Sequence, residues 1–103
     1  MRSLTFFVIA LFLGAGFALA DEHIVDQKRL RFTPNKITIK AGDTIVFKNS
    51  DRTAHQITAK AGMTANSPLL PPKKDFKLDF PAAGTFTIGC HIHPRMKLEI
   101  TVK

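Results

Sequence analysis

Apolar and polar residues alternate along much of the chain after residue 20, and turn signals separate the alternating runs. In an extended strand every second side chain lies on the same face, so each run predicts a strand that is buried on one side. No run after residue 20 has the periodicity of an amphipathic helix, and we therefore expect an all-β fold. The residues predicted to share the inward faces are Ile37, Ile39, Ile45, Phe47, Phe76, Leu78, Phe80, Phe86, Ile88, Leu98, Ile100 and Val102.

These runs predict about seven short strands, and a Greek-key sandwich of two sheets is the closure that buries the apolar face of each. A first strand is expected over residues 24–28 and a further one over residues 55–60. Residues 61–74 are rich in proline, lack clean alternation and predict a long connection. The Leu69-Leu70 pair within it either covers an edge of the core or lies exposed near a binding face.

Residues 1–20 have a different character from the rest of the chain. They contain a positive charge at Arg2, an apolar run from Leu4 to Leu13, and an Ala-Leu-Ala sequence that ends at Ala20. This order is typical of a secretory signal peptide. An uncleaved anchor needs about 20 apolar residues, whereas this run is short and followed by glycines. We therefore predict cleavage after Ala20, export to the periplasm, and no stable membrane insertion afterwards.

Residues 21–103 then remain as one domain with a modest core, which we expect to be monomeric. The full chain has 15 Lys and Arg against 8 Asp and Glu, a formal net charge of +7. Such a surface favours acidic partners. Nucleic acid is not expected to be one of them, because of the export signal and because the lysines are scattered instead of forming a basic run with aromatics.

Cys90 is the only cysteine, so it has no partner for an internal disulfide. A free exposed thiol in an oxidising compartment would be oxidised or would pair between molecules. Two interpretations follow from composition, a buried inert thiol or a thiolate that binds a metal.

Strand alternation also assigns a direction to two polar residues. If Phe86 and Ile88 point inward, Cys90 points inward as well, since side chains two apart share a face. By the same rule His55 shares the inward face of Ile57. Both polar residues are therefore expected at strand ends that face the space between the sheets.

A tight loop after Cys90 completes a candidate metal site. Pro94 makes a continued strand unfavourable, so the loop can bring Cys90, His93 and Met96 toward one point, with His55 arriving from a distant strand. Soft sulfur donors with imidazole select copper, and two His and one Cys with a weak axial Met is the arrangement of electron-transfer copper sites. Structural zinc sites usually lack Met.

Five motifs stand in order along the chain: Phe32-x-Pro34, Ala41-Gly42-Asp43-Thr44 with Phe47, Asn49-x-Asp51-x-x-x-His55, Ala83-Gly84-Thr85-Phe86 and Cys90-x-x-His93-x-x-Met96. Taken together they resemble the cupredoxins, the plastocyanin, amicyanin and pseudoazurin group of type 1 copper proteins. The similarity covers nearly all of residues 21–103. By position, it implies that His55, Cys90 and His93 are equatorial ligands and Met96 the axial ligand of one copper ion that cycles between Cu(I) and Cu(II).

The chain departs from this family pattern at two positions. The residue after the first histidine is often Asn, whose side chain helps to tie the two ligand-bearing strands together, and here it is the longer Gln56. His91 follows the cysteine directly, where the familiar electron carriers usually lack a histidine. Adjacent strand residues point to opposite sides, so we expect His91 to face solvent or to support the site rather than bind the metal.

A second candidate copper site lies at the predicted mature terminus. Cleavage after Ala20 exposes the sequence Asp21-Glu22-His23. A free amine, two deprotonated amides and an imidazole can together hold Cu(II), which favours tetragonal nitrogen coordination. A histidine at a frayed terminus often has no role, and both interpretations stay open.

The resemblance implies one-electron transfer, with His93 reaching the surface between Ile92 and Pro94. Arg95 and Lys97 then indicate weak, transient docking to an acidic redox protein such as a cytochrome or a copper or quinone enzyme. The alternative is a periplasmic protein that sequesters or delivers copper for resistance. We do not expect an enzyme, because a Cys-His hydrolase would need oxyanion and substrate elements that the chain does not offer.

Overall fold

The computed structural model describes residues 19–103, so the predicted leader lies almost entirely outside the described residues. Within this range no helix has the length and apolarity that crossing a membrane requires. The described chain is built from eight strands: β1 (Glu22–Lys28), β2 (Arg31–Thr33), β3 (Lys36–Ile39), β4 (Asp43–Asn49), β5 (Ile57–Ala61), β6 (Asp75–Phe80), β7 (Gly84–Cys90) and β8 (Lys97–Val102).

The strands form two four-stranded sheets, which confirms the predicted all-β Greek-key sandwich. One sheet has the order β2-β1-β4-β6 and the other the order β3-β8-β7-β5. Both sheets are mixed, because β1 runs parallel to β4 and β3 runs parallel to β8. The chain changes sheet at most of its connections, so residues far apart in sequence meet at the ends of the sandwich.

The predicted inward phase of the strands is confirmed. Every residue assigned to an inward face belongs to, or packs against, one apolar core between the sheets. Phe47, Ile88 and Leu98 are fully buried. Cys90 and Met96 belong to the same core, so the candidate metal site is a continuation of it at one end.

The strand count is eight instead of about seven, because the short strand β2 was not predicted. β2 follows β1 through a two-residue turn formed by Arg29 and Leu30, whose φ angles of 56° and 60° are left-handed. Such turns normally contain Asn or Gly. Arg-Leu gives no turn signal, which is why the hairpin was missed.

The boundaries of two other strands also differ from the prediction. β1 begins at Glu22, two residues before the expected start, and β5 begins at Ile57 instead of His55. His55 instead forms an isolated antiparallel bridge with Leu70. The bridge has the backbone hydrogen bonds of a strand pair but is only one residue long. Alternation in the sequence cannot distinguish such a bridge from the start of a strand.

The chain between β5 and β6 is the predicted long connection. It contains no further strand. Of the Leu69-Leu70 pair within it, one residue covers the core and the other is exposed. Leu70 is buried and bonded to the backbone of His55, whereas Leu69 is 57% exposed. The connection therefore closes the core beside His55 and presents one apolar side chain to solvent.

Candidate metal centre

His55 is held in place by backbone hydrogen bonds just before β5. Its N–H donates to the carbonyl of Leu70 over 3.0 Å, and its carbonyl accepts from the N–H of Leu70 over 2.7 Å. Its side chain is fully buried. The imidazole is therefore fixed inside the sandwich, on the inward side that alternation predicted.

Cys90 is the last residue of β7 and is fully buried. It pairs in register with Ile57, the first residue of β5. This pairing brings the cysteine beside the segment that carries His55. The backbone N–H of Gln56 donates to Sγ of Cys90 over 3.3 Å. The pairing and this hydrogen bond together fix the position of the sulfur beside His55.

The loop between β7 and β8 turns back on itself, as its proline predicted. The N–H of Met96 donates to the carbonyl of His93 over 2.9 Å, which closes a tight turn around Pro94 and Arg95. Met96 is 2% exposed, whereas His93 is only partly buried. The loop thus places the thioether in the core and the imidazole at the boundary with solvent.

Three donor atoms converge on one point. Nδ1 of His55 lies 3.7 Å from Sγ of Cys90, Nδ1 of His93 lies 3.8 Å from the same sulfur, and the two nitrogens are 3.1 Å apart. With metal bonds of about 2.0–2.3 Å, donors at angles of about 100–120° around one ion lie roughly 3.1–3.9 Å from each other. These residues therefore fit a single first-row metal ion without rearrangement of the fold.

The chemistry of the donors selects among metals. Two imidazoles and one thiolate, with the buried thioether of Met96 in the same loop, form the donor set of a type 1 copper site. Zinc sites of the structural kind use Cys and His throughout. Copper is the cofactor that this arrangement fits.

The family model of the cupredoxin-like domain matches residues 3–102. The chain belongs to the cupredoxin-like family. Amicyanin from Paracoccus denitrificans is 25% identical over 84 residues, which are 78% of this chain and 64% of the relative. Plastocyanin from Vicia faba is 32% identical over 76 residues, which are 62% of this chain and 77% of the relative. The chain therefore spans slightly less than two thirds of the Paracoccus amicyanin.

Solved structures agree with this family assignment. The Cu(I) form of an amicyanin variant has a TM-score of 0.75 at 25% identity, covering 86% of this chain and 88% of the other. A purple cupredoxin from Nitrosopumilus maritimus has a TM-score of 0.74 at 21% identity, covering 79% of this chain and 99% of the other. The second comparison supports the cupredoxin fold alone.

Asp51 is a residue of this cupredoxin site whose role sequence reasoning missed. Its Oδ2 lies 2.7 Å from Nε2 of His55, on the side of the ring opposite the other donors. Nε2–H of His55 donates to the carboxylate, which leaves Nδ1 with its lone pair toward the metal position. The four-residue spacing from Asp51 to His55 was the available signal, but on an irregular loop it does not predict a contact.

The same carboxylate also holds the turn between β1 and β2. It accepts hydrogen bonds from the backbone N–H groups of Arg29 and Leu30. Burial by itself would raise the pKa of Asp51. The bonds from Leu30, His55 and Arg29 outweigh that effect and hold the pKa below its ordinary value. Asp51 therefore stays ionised and joins a metal ligand to a surface turn.

Asn49 fixes the loop that carries Asp51. Its side-chain amide donates to the carbonyls of Thr53 and Leu70, each over 2.9 Å, and its oxygen accepts from the N–H of Asp51. Asn49 is 2% exposed. The family-like motif from Asn49 to His55 is thus a hydrogen-bonded loop that positions the first histidine.

Gln56, which stands where the family often has Asn, ties the long connection to the segment that carries His55. Its side-chain amide donates to the carbonyl of Ser67 in the long connection over 3.0 Å. Ser67 in turn accepts the N–H of Ile57 on its hydroxyl. The longer side chain thus anchors the connection to the ligand-bearing segment, while the backbone of Gln56 contacts Cys90.

His91 is exposed and does not belong to the group of converging donors, as strand alternation predicted. Ile92 beside it is 44% exposed. Both residues lie on the outer side of the loop that carries His93.

The residues of the predicted terminal site, Asp21-Glu22-His23, lie at the start of β1. Glu22 and His23 pair with Thr44 and Ile45 of β4. Nε2 of His23 lies 2.9 Å from Oδ2 of Asp43. The structure therefore brings the tripeptide onto the sheet, at the end of β4 opposite to the one that leads to Asp51.

A groove beside His93 carries both apolar and basic side chains. We call it the His93 groove, and its apolar members Leu30 and Ile92 are 47% and 44% exposed. The β1–β2 turn forms one wall and the ligand loop forms the other. Its lining residues are Arg29, Leu30, Arg31, Ile92, His93, Pro94 and Arg95.

Proposed function

We propose that this protein is an exported one-electron carrier that holds a single copper ion with His55, Cys90, His93 and Met96. His55, Cys90 and His93 would be the equatorial ligands and Met96 the axial one. The observation that carries this proposal is the convergence of three buried or half-buried donors on one point within a rigid core. When bound, copper supplies the one-electron change between Cu(I) and Cu(II).

The surroundings of the donors support transfer with little rearrangement. The Leu70 bridge and Asp51 hold His55 from two sides, and β7 holds Cys90 in register with β5. Close-packed cores resist displacement of their side chains. A donor set held in this way keeps nearly the same geometry in both oxidation states, which suits an electron carrier.

The His93 groove supports transient docking of an acidic redox protein. His93 is the candidate ligand with the greatest exposure, so a partner approaches the site most closely here. Arg29, Arg31 and Arg95 line the groove together with the apolar side chains of Leu30, Ile92 and Pro94. An apolar centre with a charged rim is typical of small, weak interfaces in which charge sets the association rate.

The central test is copper binding by the mature protein. We expect one equivalent of Cu(II) to produce an intense visible thiolate-to-copper band and a type 1 paramagnetic resonance signal. Cys90→Ser should abolish the band because the variant has no thiolate. His91→Ala should retain it and is the matched control, since His91 is the neighbouring exposed histidine. A colourless complex of the unaltered protein would rule out the proposal.

A second candidate function is copper handling, in which the protein sequesters or delivers the metal. The exposed His91 next to Cys90 favours it, because an accessible imidazole beside the site suits metal entry. Growth of cells in excess copper separates the two functions. A handling protein should be induced, and its deletion should sensitise the cells, whereas loss of a carrier should block a respiratory or photosynthetic step.

We also propose export with cleavage after Ala20, which places the mature protein in the periplasm. The apolar run and the Ala-Leu-Ala sequence support this proposal. Mass spectrometry of the protein from a periplasmic extract should give a chain that begins at Asp21. A chain that begins elsewhere, or a protein retained in the cytoplasm, would contradict it.

A terminal Cu(II) site at Asp21-Glu22-His23 remains a separate proposal. It would require His23 to leave Asp43 and the start of β1 to detach from β4. Titration of mature protein whose core site is already filled should reveal a second, pH-dependent equivalent of Cu(II). Absence of that equivalent, or its persistence in His23→Ala, would eliminate the site.

A further inference from the structure

Asp43 is a buried carboxylate at the first position of β4, far from the metal centre along that strand. It is 1% exposed and receives three hydrogen bonds. Oδ1 accepts from the backbone nitrogen of Asp21 over 3.0 Å. Oδ2 lies 2.9 Å from Nε2 of His23 and accepts from the backbone N–H of Lys40 over 2.9 Å.

The charge of this carboxylate is compensated by hydrogen bonds but not by a permanent cation. Within residues 19–103 its sole ion-pair partner is the imidazole of His23, which is a cation only when protonated, and neither lysine nor arginine pairs with it. Burying a carboxylate costs free energy unless a cation and hydrogen bonds compensate it. A permanent cation at this position would therefore stabilise the fold.

Leader removal would create such a cation at the atom that already contacts Asp43. Hydrolysis of the Ala20–Asp21 peptide bond adds one water, leaving a carboxylate on Ala20 and an amine on Asp21 that takes up a proton at neutral pH. We propose that Asp43 is the receptor for this new α-ammonium group, so that processing replaces a neutral hydrogen bond by an ion pair and stabilises the mature fold. This inference rests on the proposed cleavage after Ala20.

The neighbourhood of Asp21 holds its nitrogen on the carboxylate. The carbonyl of Asp21 accepts the N–H of Thr44 over 3.0 Å, which continues the parallel pairing of β1 and β4. Nζ of Lys40 lies 3.8 Å from Oδ2 of Asp21. The two residues before it that the structure describes, Leu19 and Ala20, are exposed.

The hydrogen bond from Asp21 already stabilises the charged form of Asp43. Together with His23 and Lys40 it lowers the pKa of Asp43 to about 2, and the Asp21 bond is the largest cause. Asp43 is therefore ionised at neutral pH and available for the ammonium group. A charge-assisted hydrogen bond is roughly twice as strong as a neutral one.

The test compares two chains of residues 21–103 that differ only at the terminal nitrogen, one free and one acetylated. Both are assembled from synthetic segments and loaded with one equivalent of copper. The acetyl group reproduces the neutral amide of the uncut chain. We expect acetylation to lower Tm by about 4–8 °C, the shift that loss of charge assistance produces in a domain of this size.

Asp43→Asn identifies the partner of the amine. In that background acetylation should change Tm by less than half as much, because the carboxylate is gone. Equal Tm values in the unaltered background would overturn the proposal, and so would an equal loss in both backgrounds. If Asp43→Asn does not fold, acetylation of a chain that begins at Ala20 takes its place. Its amine is displaced by one residue, so acetylation should leave its Tm unchanged, and a loss as large as in the mature chain would also overturn the proposal.

The synthetic chains separate this proposal from the proposed cleavage. Their termini are fixed by synthesis, so their Tm values do not depend on how cells process the precursor. A correct terminus in cells without the Tm effect refutes the Asp43 receptor alone. The Tm effect with a different terminus in cells refutes the cleavage site, and with it the role of Asp43 in maturation.

Discussion

Asp51 connects two parts of the molecule that are distant in sequence. Its carboxylate contacts the buried histidine of the site and the turn that lines the His93 groove. A group that orients a ligand acts through the imidazole and need not touch the metal. At the scale of single residues, Asp51 is therefore the side chain whose change should affect metal affinity most specifically.

We predict that Asp51→Asn lowers copper affinity by about 10–100-fold, the usual effect of losing a group that orients a ligand. The amide keeps the size of the side chain but removes the charge that attracts the Nε2 proton. Competition with a copper chelator measures the affinity. Asp75→Asn removes an exposed carboxylate paired with Lys48 and should leave affinity unchanged. If both variants bind alike, Asp51 has no orienting role.

A second prediction at this scale concerns acid stability. The pKa of Asp43 is about 2 in the fold, against an ordinary value of 3.8. Above the ordinary value both states are ionised and the contribution of Asp43 is complete. As pH falls from about 4 to about 2, the unfolded chain binds the proton first, so this stability is progressively lost.

Urea unfolding at pH 5 and pH 2.5 measures the effect. The unaltered protein should lose more free energy of unfolding over this interval than Asp43→Asn, whose side chain does not titrate. Asp79→Asn removes an exposed carboxylate on β6 and is the control. Between pH 5 and pH 2.5 it should lose as much free energy of unfolding as the unaltered protein. An equal loss in all three proteins would contradict the prediction.

At the scale of elements, the hairpin of β1 and β2 is stabilised from outside. Arg29 and Leu30 occupy left-handed conformations, which cost side chains other than Gly roughly 1–2 kcal/mol each. Asp51 binds both of their N–H groups. The turn is therefore less stable in itself than an Asn-Gly turn would be, and it presents basic and apolar side chains to the groove.

We predict that the double variant Arg29→Asn, Leu30→Gly raises Tm by about 4–8 °C, corresponding to about 1 kcal/mol. The same variant should slow reduction by an acidic redox partner, because two members of the His93 groove are lost. Lys73→Asn is the matched control. Lys73 also has a left-handed φ of 71° but lies outside the groove. Relief of backbone strain at Lys73 should therefore raise Tm without changing the rate of reduction by the partner.

Thermal unfolding and stopped-flow measurements on the same samples decide this prediction. A higher Tm with an unchanged rate of reduction by the partner would show that the turn is not part of the docking surface. An unchanged Tm would show that the bonds from Asp51 already compensate the strain in full.

For the whole molecule, the net charge and the positions of the basic residues both bear on how a partner would associate. The formal net charge of the chain is +7, which favours acidic partners in general. If the proposed partner docks at the His93 groove, basic residues near His93 should guide its orientation more than distant ones do. Arg95 lies in the groove, whereas Lys103 follows the far end of β8. Arg95 and Lys103 carry the same charge at different distances from His93, so comparing them separates the effect of position from that of net charge.

We predict that Arg95→Glu slows association with an acidic redox partner by about tenfold or more at low salt, since steering by charge changes association rates by about 10–1000-fold. Lys103→Glu makes the same change in net charge and should slow association far less. Stopped-flow kinetics over a range of ionic strengths gives both rates. Equal slowing would mean that net charge, and not the groove, guides the partner.

Much of the fold and of the site was predictable because the deciding properties are local. Alternation fixes which face a strand residue occupies, so Phe86 and Ile88 determined the inward direction of Cys90. The proline after His93 predicted the tight loop, and the mixture of sulfur and nitrogen donors predicted copper. The first two inferences use residues within a few positions of one another, whereas the copper prediction joins His55 to a cysteine 35 positions away through strand phase and the family resemblance.

The sequence by itself therefore determined an all-β sandwich, its inward faces and the identity of four candidate ligands. Only the tertiary structure decided that β1 runs parallel to β4, that Asp51 reaches both His55 and the turn at Arg29, and that Asp43 receives the nitrogen of Asp21. The physical reason is range. A side chain's direction follows from its own backbone, whereas these contacts join segments up to 22 residues apart and depend on how the two sheets pair and pack.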